Sequence, residues 1–130
     1  DVLGNQVPII FDNLPSASSH IAAGSLKALG VTTTERAASF PDVPTIAETL
    51  PGYETYTWNA LFAPAGTPPE VVAALNEAAT AAMADPDVQA RMAEFSATIV
   101  ASTPEDLAAH VQAEMEKWAP VVSDAEVRMD

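Results

Sequence analysis

The sequence predicts an α/β fold, and three observations carry that prediction. Residues 7–32 follow the order apolar run, short helix, apolar run. Residues 67–118 carry three helix starts, each marked by proline beside a capping or acidic residue. Apolar residues make up 48% of the chain, leaning on alanine, which suits smooth, closely packed helices. A strand, a helix and a second strand in that order build a right-handed βαβ unit with a parallel pair. At 130 residues the chain can bury one modest core or supply two incomplete halves of a larger two-lobed protein.

Taken in order, Asp1-Val2-Leu3-Gly4-Asn5 reads as the last turn of a helix with a glycine stop. That reading expects the helix to begin before residue 1 and a leader to lie further upstream. Val7-Pro8-Ile9-Ile10-Phe11 predicts a buried strand, and Asp12-Asn13-Leu14-Pro15-Ser16 a polar turn opening a helix over about 16–23 that stops at Gly24. Leu26 to Thr32 predicts the second strand. Pro41, Pro44 and Pro51 then break any long element. Within that stretch Asp42 reads as the N-cap of a short helix running through Leu50, with Pro44 in its first turn. Glu54 to Ala63 is rich in β-formers and predicts a long strand.

Thr67-Pro68-Pro69-Glu70 reads as a capping box for a helix to about Ala84, with Val71, Val72, Leu75, Ala79 and Met83 on one apolar face. Asp85 caps a second helix with Val88, Met92 and Phe95 at helical spacing, and Ala97 to Ala101 predicts a short strand. Thr103-Pro104-Glu105-Asp106 opens the last helix, whose Leu107, Val111, Met115 and Trp118 share a stripe, with Trp118 in the core. Pro120 is expected to interrupt that helix. The punctuation places a break near residues 52–60, so residues 1–58 and 59–130 are expected to form separate pieces.

Charge and composition narrow the function. Eighteen acidic residues stand against five basic ones, for a formal net charge of −13. Such a field repels phosphate backbones and anionic lipid surfaces, which argues against nucleic acid and surface membrane binding as partners. There is no cysteine, hence no disulfide framework or thiolate chemistry. No stretch approaches the roughly 18 apolar residues of a membrane span, so no direct membrane insertion is expected. His20 and His110 are far apart and make a metal site improbable. Ser18, Ser19, His20 and Asp12 invite a triad, but adjacent helical residues point in different directions, and the chain has no G-x-S-x-G elbow. Glycines form neither a P-loop nor a dinucleotide fingerprint. The expectation is therefore a protein with no catalytic residues, no metal and no cofactor.

One segment has a clear physical use. Phe11, Asp12, Asn13, Leu14, Ser16 and Ala17 form the turn from the first predicted strand into its helix. Ligands of open α/β folds sit beyond the carboxyl ends of parallel strands, against helix N-termini. Backbone N–H groups and the helix dipole there hold an anion without lysine or arginine. Asp12 would then cap the helix or accept from a ligand hydroxyl or bridging water. The plainer alternative is that Asp12 and Ser16 only cap the helix. Trp58 and Tyr56 could shape a pocket wall, or serve as core packing.

The ordered motifs extend these readings. Gly4-x-Gln6-Val7, Phe11-Asp12-Asn13, Ile21-Ala22-Ala23-Gly24 and Leu26-Lys27-Ala28-Leu29-Gly30-Val31-Thr32 open the series. Phe40-Pro41-Asp42-Val43-Pro44-Thr45-Ile46-Ala47-Glu48, Pro51-Gly52-Tyr53-Glu54, Trp58 and Leu61-Phe62-Ala63-Pro64-Ala65-Gly66-Thr67-Pro68 follow. Asp85-Pro86-Asp87-Val88, Thr103-Pro104-Glu105 and Lys117-Trp118 close it. In this order they resemble the substrate-binding family of the tripartite tricarboxylate transporters, the TctC or Bug receptors. The resemblance implies part of a two-lobed periplasmic-binding-protein fold: the end of the second lobe and the returning C-terminal part of the first. It implies a periplasmic receptor that captures a small carboxylate by lobe closure, using backbone N–H groups and waters, and delivers it to a membrane permease. Phe11 to Ala17 would be the second lobe's contribution to the ligand site, with Trp58 near the crossover. A ligand-sensing module for a signalling partner is the alternative. The first lobe's ligand loop has no counterpart here, so self-association that covers the exposed lobe faces is a further expectation.

Overall fold

The computed structural model describes residues 1–127 and contains four α-helices among them. These are α1 (Leu14–Ala22), α2 (Pro69–Met83), α3 (Pro86–Glu94) and α4 (Pro104–Asp124), with a 3₁₀ turn at Ile46–Glu48. The chain divides into two compact units. The first holds Asp1–Asn59 with Pro86–Ile99, and the second holds Ala60–Asp85 with the chain from Val100 onward. Residue 128 and those after it, including Arg128 of the five cations, lie outside the described residues.

In the first unit the chain opens on a tight turn. Gln6 N–H donates to Asp1 C=O and Asn5 N–H to Val2 C=O, both at 3.0 Å. This is the paired closure of a helical turn. The left-handed residue is Asn5 (φ 56) rather than the expected Gly4; asparagine adopts this conformation more readily than other side-chain-bearing residues. Helix α1 starts two residues earlier than the sequence suggests because Leu14 and Pro15 fit its first turn, where a missing N–H costs nothing. Its C-cap is Ala23, and Gly24 follows with φ 72.

The four expected strands form no ladder among the described residues. One isolated parallel bridge remains, Val31 to Thr45, closed by Val31 N–H to Pro44 C=O and Ile46 N–H to Val31 C=O, each 2.9 Å. A strand exists only through its neighbour's hydrogen bonds, and between segments 26–32 and 54–59 there is a single one, Thr55 N–H to Thr32 C=O at 2.9 Å, which closes no ladder. Apolar side chains of the four expected strands stay exposed accordingly: Phe11 at 75%, Leu61 at 81%, Val100 at 79%.

The loop after Val31 is dense in local hydrogen bonds. The expected Asp42-capped helix is instead a 3₁₀ turn capped by Thr45, whose Oγ1 accepts from Glu48 N–H while Glu48 Oε1 accepts from Thr45 N–H. That reciprocal pair is a capping box. Thr45 is the one buried residue among those described, at 4% exposure. Helix α3 ends at a second paired closure. Ala97 N–H reaches Met92 C=O and Ser96 N–H reaches Ala93 C=O, with Ser96 left-handed at φ 54. Ser96 Oγ donates to Ser39 Oγ at 2.9 Å, joining this end to the loop before Phe40.

In the second unit α2 packs against α4. The Thr67 capping box does not form. Pro68 is the N-cap, and Thr67, one position too early, donates its hydroxyl to Pro64 C=O at 2.8 Å. The less exposed face of α2 is Val72, Asn76, Ala79 and Met83, whereas Val71 and Leu75 stay exposed. Asn76 Nδ2 donates to Ser102 C=O at 3.0 Å. On α4 the less exposed positions are Pro104, Leu107, His110, Val111 and Glu114. Met115 is 64% and Trp118 39% exposed, so Trp118 is not a core residue. Its indole N–H donates to Glu114 Oε2 at 3.0 Å, and Lys117 Nζ lies 5.7 Å from its ring centre. Helix α4 continues through Pro120 to Asp124. One proline removes one i→i−4 bond and need not end a helix whose other bonds persist.

Candidate functional site at the start of helix α1

The turn into α1 is closed on itself. Asn13 is extended (φ −75, ψ 136) and donates its N–H to Asp12 Oδ1 at 2.8 Å. Its carbonyl accepts three donors: Ser16 N–H at 3.0 Å, Ala17 N–H at 3.3 Å and Ser16 Oγ at 2.7 Å. Pro15 has no N–H. Leu14 N–H is left as the one open N–H of the first turn of α1, and it faces out because a planar trans peptide points N–H opposite to the Asn13 C=O that faces the helix. Among the first four residues of α1, Leu14 N–H is thus the donor left open, pointing outward from the helix N-terminus. Leu14 and Ala17 are half-buried; Phe11, Asp12, Asn13 and Ser16 are exposed.

A second segment meets this turn. Thr57 Oγ1 donates to Asn13 Oδ1 at 2.8 Å across 44 positions, and Thr55 N–H donates to Thr32 C=O at 2.9 Å. The segment 55–57 therefore touches the last residue of the second apolar run and the turn that follows the first. Trp58, the next residue, is half-buried. Thr57 carries no sequence signal that marks it: a threonine in a β-former run is ordinary.

An open groove of about 320 Å³ lies between the first apolar run and α1, lined by Val7, Ile9, Ile10, Asp12, Ser16, Ala17, His20, Leu26 and residues 1–3. Asp1 and Asp12 are its acids, and no lysine or arginine lines it. Its mainly apolar walls suit apolar side chains better than a carboxylate.

The first unit's strongest electrostatic feature is elsewhere. Arg36 Nε and Nη2 donate to both Glu48 oxygens at 2.8 Å, and Nη1 donates to Pro41 C=O at 3.0 Å. The Arg36 hydrogen bonds, then the Thr45 N–H, hold the Glu48 carboxyl down to about 2. The same hydrogen bond and charge raise Arg36 above its ordinary value. Arg36 is thus engaged by the loop and is not a free anchor for an anion. Arg91 pairs with Glu94, and Lys117 with Glu114. Among the described residues no three of His, Cys, Asp and Glu group closely enough to hold a metal ion.

Residues 1–127 match the family described as the tripartite tricarboxylate transporter family receptor, TctC. The chain belongs to this family. Among its relatives, a UPF0065 protein of Bordetella bronchiseptica is 34% identical over 98% of this chain and 38% of its own length. Protein BugT of Bordetella pertussis is 33% identical over 99% of this chain and 40% of its own. The chain therefore spans about two fifths of the length of these relatives. Among solved structures, the periplasmic binding protein BugD superposes with a TM-score of 0.77 at 34% identity, covering 88% of this chain and 39% of that one. This TctC-family chain accordingly has the α/β fold of part of a two-lobed periplasmic binding protein. No helix of the described residues is long and apolar enough to cross a membrane.

Proposed function

We propose that the chain belongs to an extracytoplasmic receptor that captures a small carboxylate and hands it to the permease of a tripartite tricarboxylate-type transporter. The family match across residues 1–127 carries this reading, and BugD, a periplasmic binding protein of the same fold, supports the compartment. In this reading residues 1–58 supply the end of the ligand-binding second lobe and its crossover. Residues 59–130 supply the C-terminal part of the first lobe. Phe11, Asp12, Asn13, Leu14, Ser16, Ala17 and Trp58 form the second lobe's share of the site. The outward Leu14 N–H donates to the ligand carboxylate, assisted by the positive end of α1 and by ordered water. Asp12, already bound to Asn13 N–H, accepts from a ligand hydroxyl or from that water. Capture is by closure around the ligand with no covalent step, so the receptor turns nothing over.

A thermal-shift screen of the full gene product against citrate, malate, glutamate and aromatic acids tests the reading. Saturable shifts with a carboxylate, absent with the matching amide, are expected. No shift with any carboxylate overturns the substrate class.

A further inference from the structure

An N-cap asparagine ordinarily spends its side-chain oxygen on an N–H of the first helical turn. Asn13 makes no such bond; its carbonyl serves the helix, and Oδ1 instead accepts from Thr57 Oγ1. Asn13 is thus held at three points: its N–H by Asp12, its carbonyl by Ser16 and Ala17, and its side chain by Thr57. The first two partners lie within four residues and move with the turn. Only Thr57 refers the turn to another part of the unit. Thr57 is itself anchored, since Thr55 N–H two residues earlier is bonded to Thr32 C=O. Two residues later, at Asn59, the chain leaves this unit.

We infer that Thr57 is a positioning residue for the ligand turn: by holding the Asn13 side chain, its hydroxyl sets the direction of the Asn13–Leu14 peptide and hence of the Leu14 N–H. The inference rests on the carboxylate reading given above. Thr57 touches no ligand in this scheme. It acts through Asn13, and it connects the turn to the segment by which the chain crosses to the second unit.

Thr57→Val keeps the side chain's shape and removes its donor. In the ligand-free full gene product, amide exchange at Ser16 and Ala17, the two amides bonded to Asn13 C=O, is expected to quicken about fivefold, and carboxylate affinity to fall by a similar factor. Thr57→Ser, which keeps the hydroxyl, restores most of both. Asn13→Ala removes the acceptor from the other side, and combining it with Thr57→Val adds no further loss. Unchanged exchange at these amides in both single variants overturns the positioning role, even if carboxylate binding stands. Faster exchange with unaltered affinity overturns its relevance to the ligand. A wild-type protein that binds no carboxylate refutes the substrate reading instead, while the exchange measurement still decides whether Thr57 orients the turn.

Discussion

Leu14 and Pro15 together decide how much of an anion site the α1 turn can offer. Proline removes one first-turn donor, Asn13 C=O takes the next two, and Leu14 N–H remains. Leu14→Pro would delete that last donor at a helix position that tolerates proline, and Asn13 already has the ψ of 136° that a following proline requires. Carboxylate affinity is expected to fall about tenfold, whereas Leu14→Ala, which keeps the N–H, loses far less; isothermal titration reads both. The Arg36–Glu48 pair makes a different prediction at this scale. Glu48 is depressed from 4.5 to about 2, so the folded state binds its proton less readily than the unfolded chain does. Its stabilisation is therefore whole above pH 4.5 and is lost as pH falls toward 2. Glu48→Gln should flatten the pH dependence of denaturant unfolding in that window, and both side chains are about half-exposed, so high salt should weaken the effect.

At the scale of elements, the helices follow from local signals and the strands do not. Thr103 accepts from Asp106 N–H at 3.1 Å and opens α4 with Pro104 behind it. Thr103→Ala is expected to cost about 1 kcal/mol. Thr67→Ala should cost markedly less, because the Thr67 hydroxyl bonds Pro64 C=O and caps nothing; paired thermal melts distinguish the two. Both sites read alike as threonine-proline helix starts, and the second proline moves α2's first turn one residue along. Thr45-Ile46-Ala47-Glu48 carries the true S/T-x-x-E signature, which Asp42 and Pro44 compete with on paper. Pro120 shows the opposite limit of a local rule, since α4 runs through it. Pro120→Ala should raise the melting temperature, consistent with a helix-interior proline penalty of up to about 3 kcal/mol.

At the scale of the whole molecule, the dominant fact is surface. The chain exposes 10164 Å². No apolar residue among those described is fully buried. Units without a fully buried apolar side chain hold little hydrophobic free energy of their own. The isolated 130-residue chain is therefore expected to bind a hydrophobic dye and to self-associate with rising concentration, as sedimentation velocity would show. A compact monomer with a steep, cooperative melt would contradict this. The same scale explains why the site was only half legible. Asp12, Asn13 and Ser16 announce a helix start by their types and spacing, but the Thr57 hydroxyl that holds Asn13 sits 44 positions away and no periodicity points to it.

The sequence by itself determined the four helices, the turn at Phe11 to Ala17, the acidic surface and the family, because caps, charges and ordered motifs are properties of neighbouring residues. Tertiary structure decided which carbonyl takes which N–H. It left Leu14 as the outward donor, gave Asn13 to Thr57 and Arg36 to Glu48, turned Trp58 partly inward and Trp118 partly outward, and left the expected strands without a ladder. Pairing and orientation depend on groups distant along the chain, whose approach no local pattern encodes.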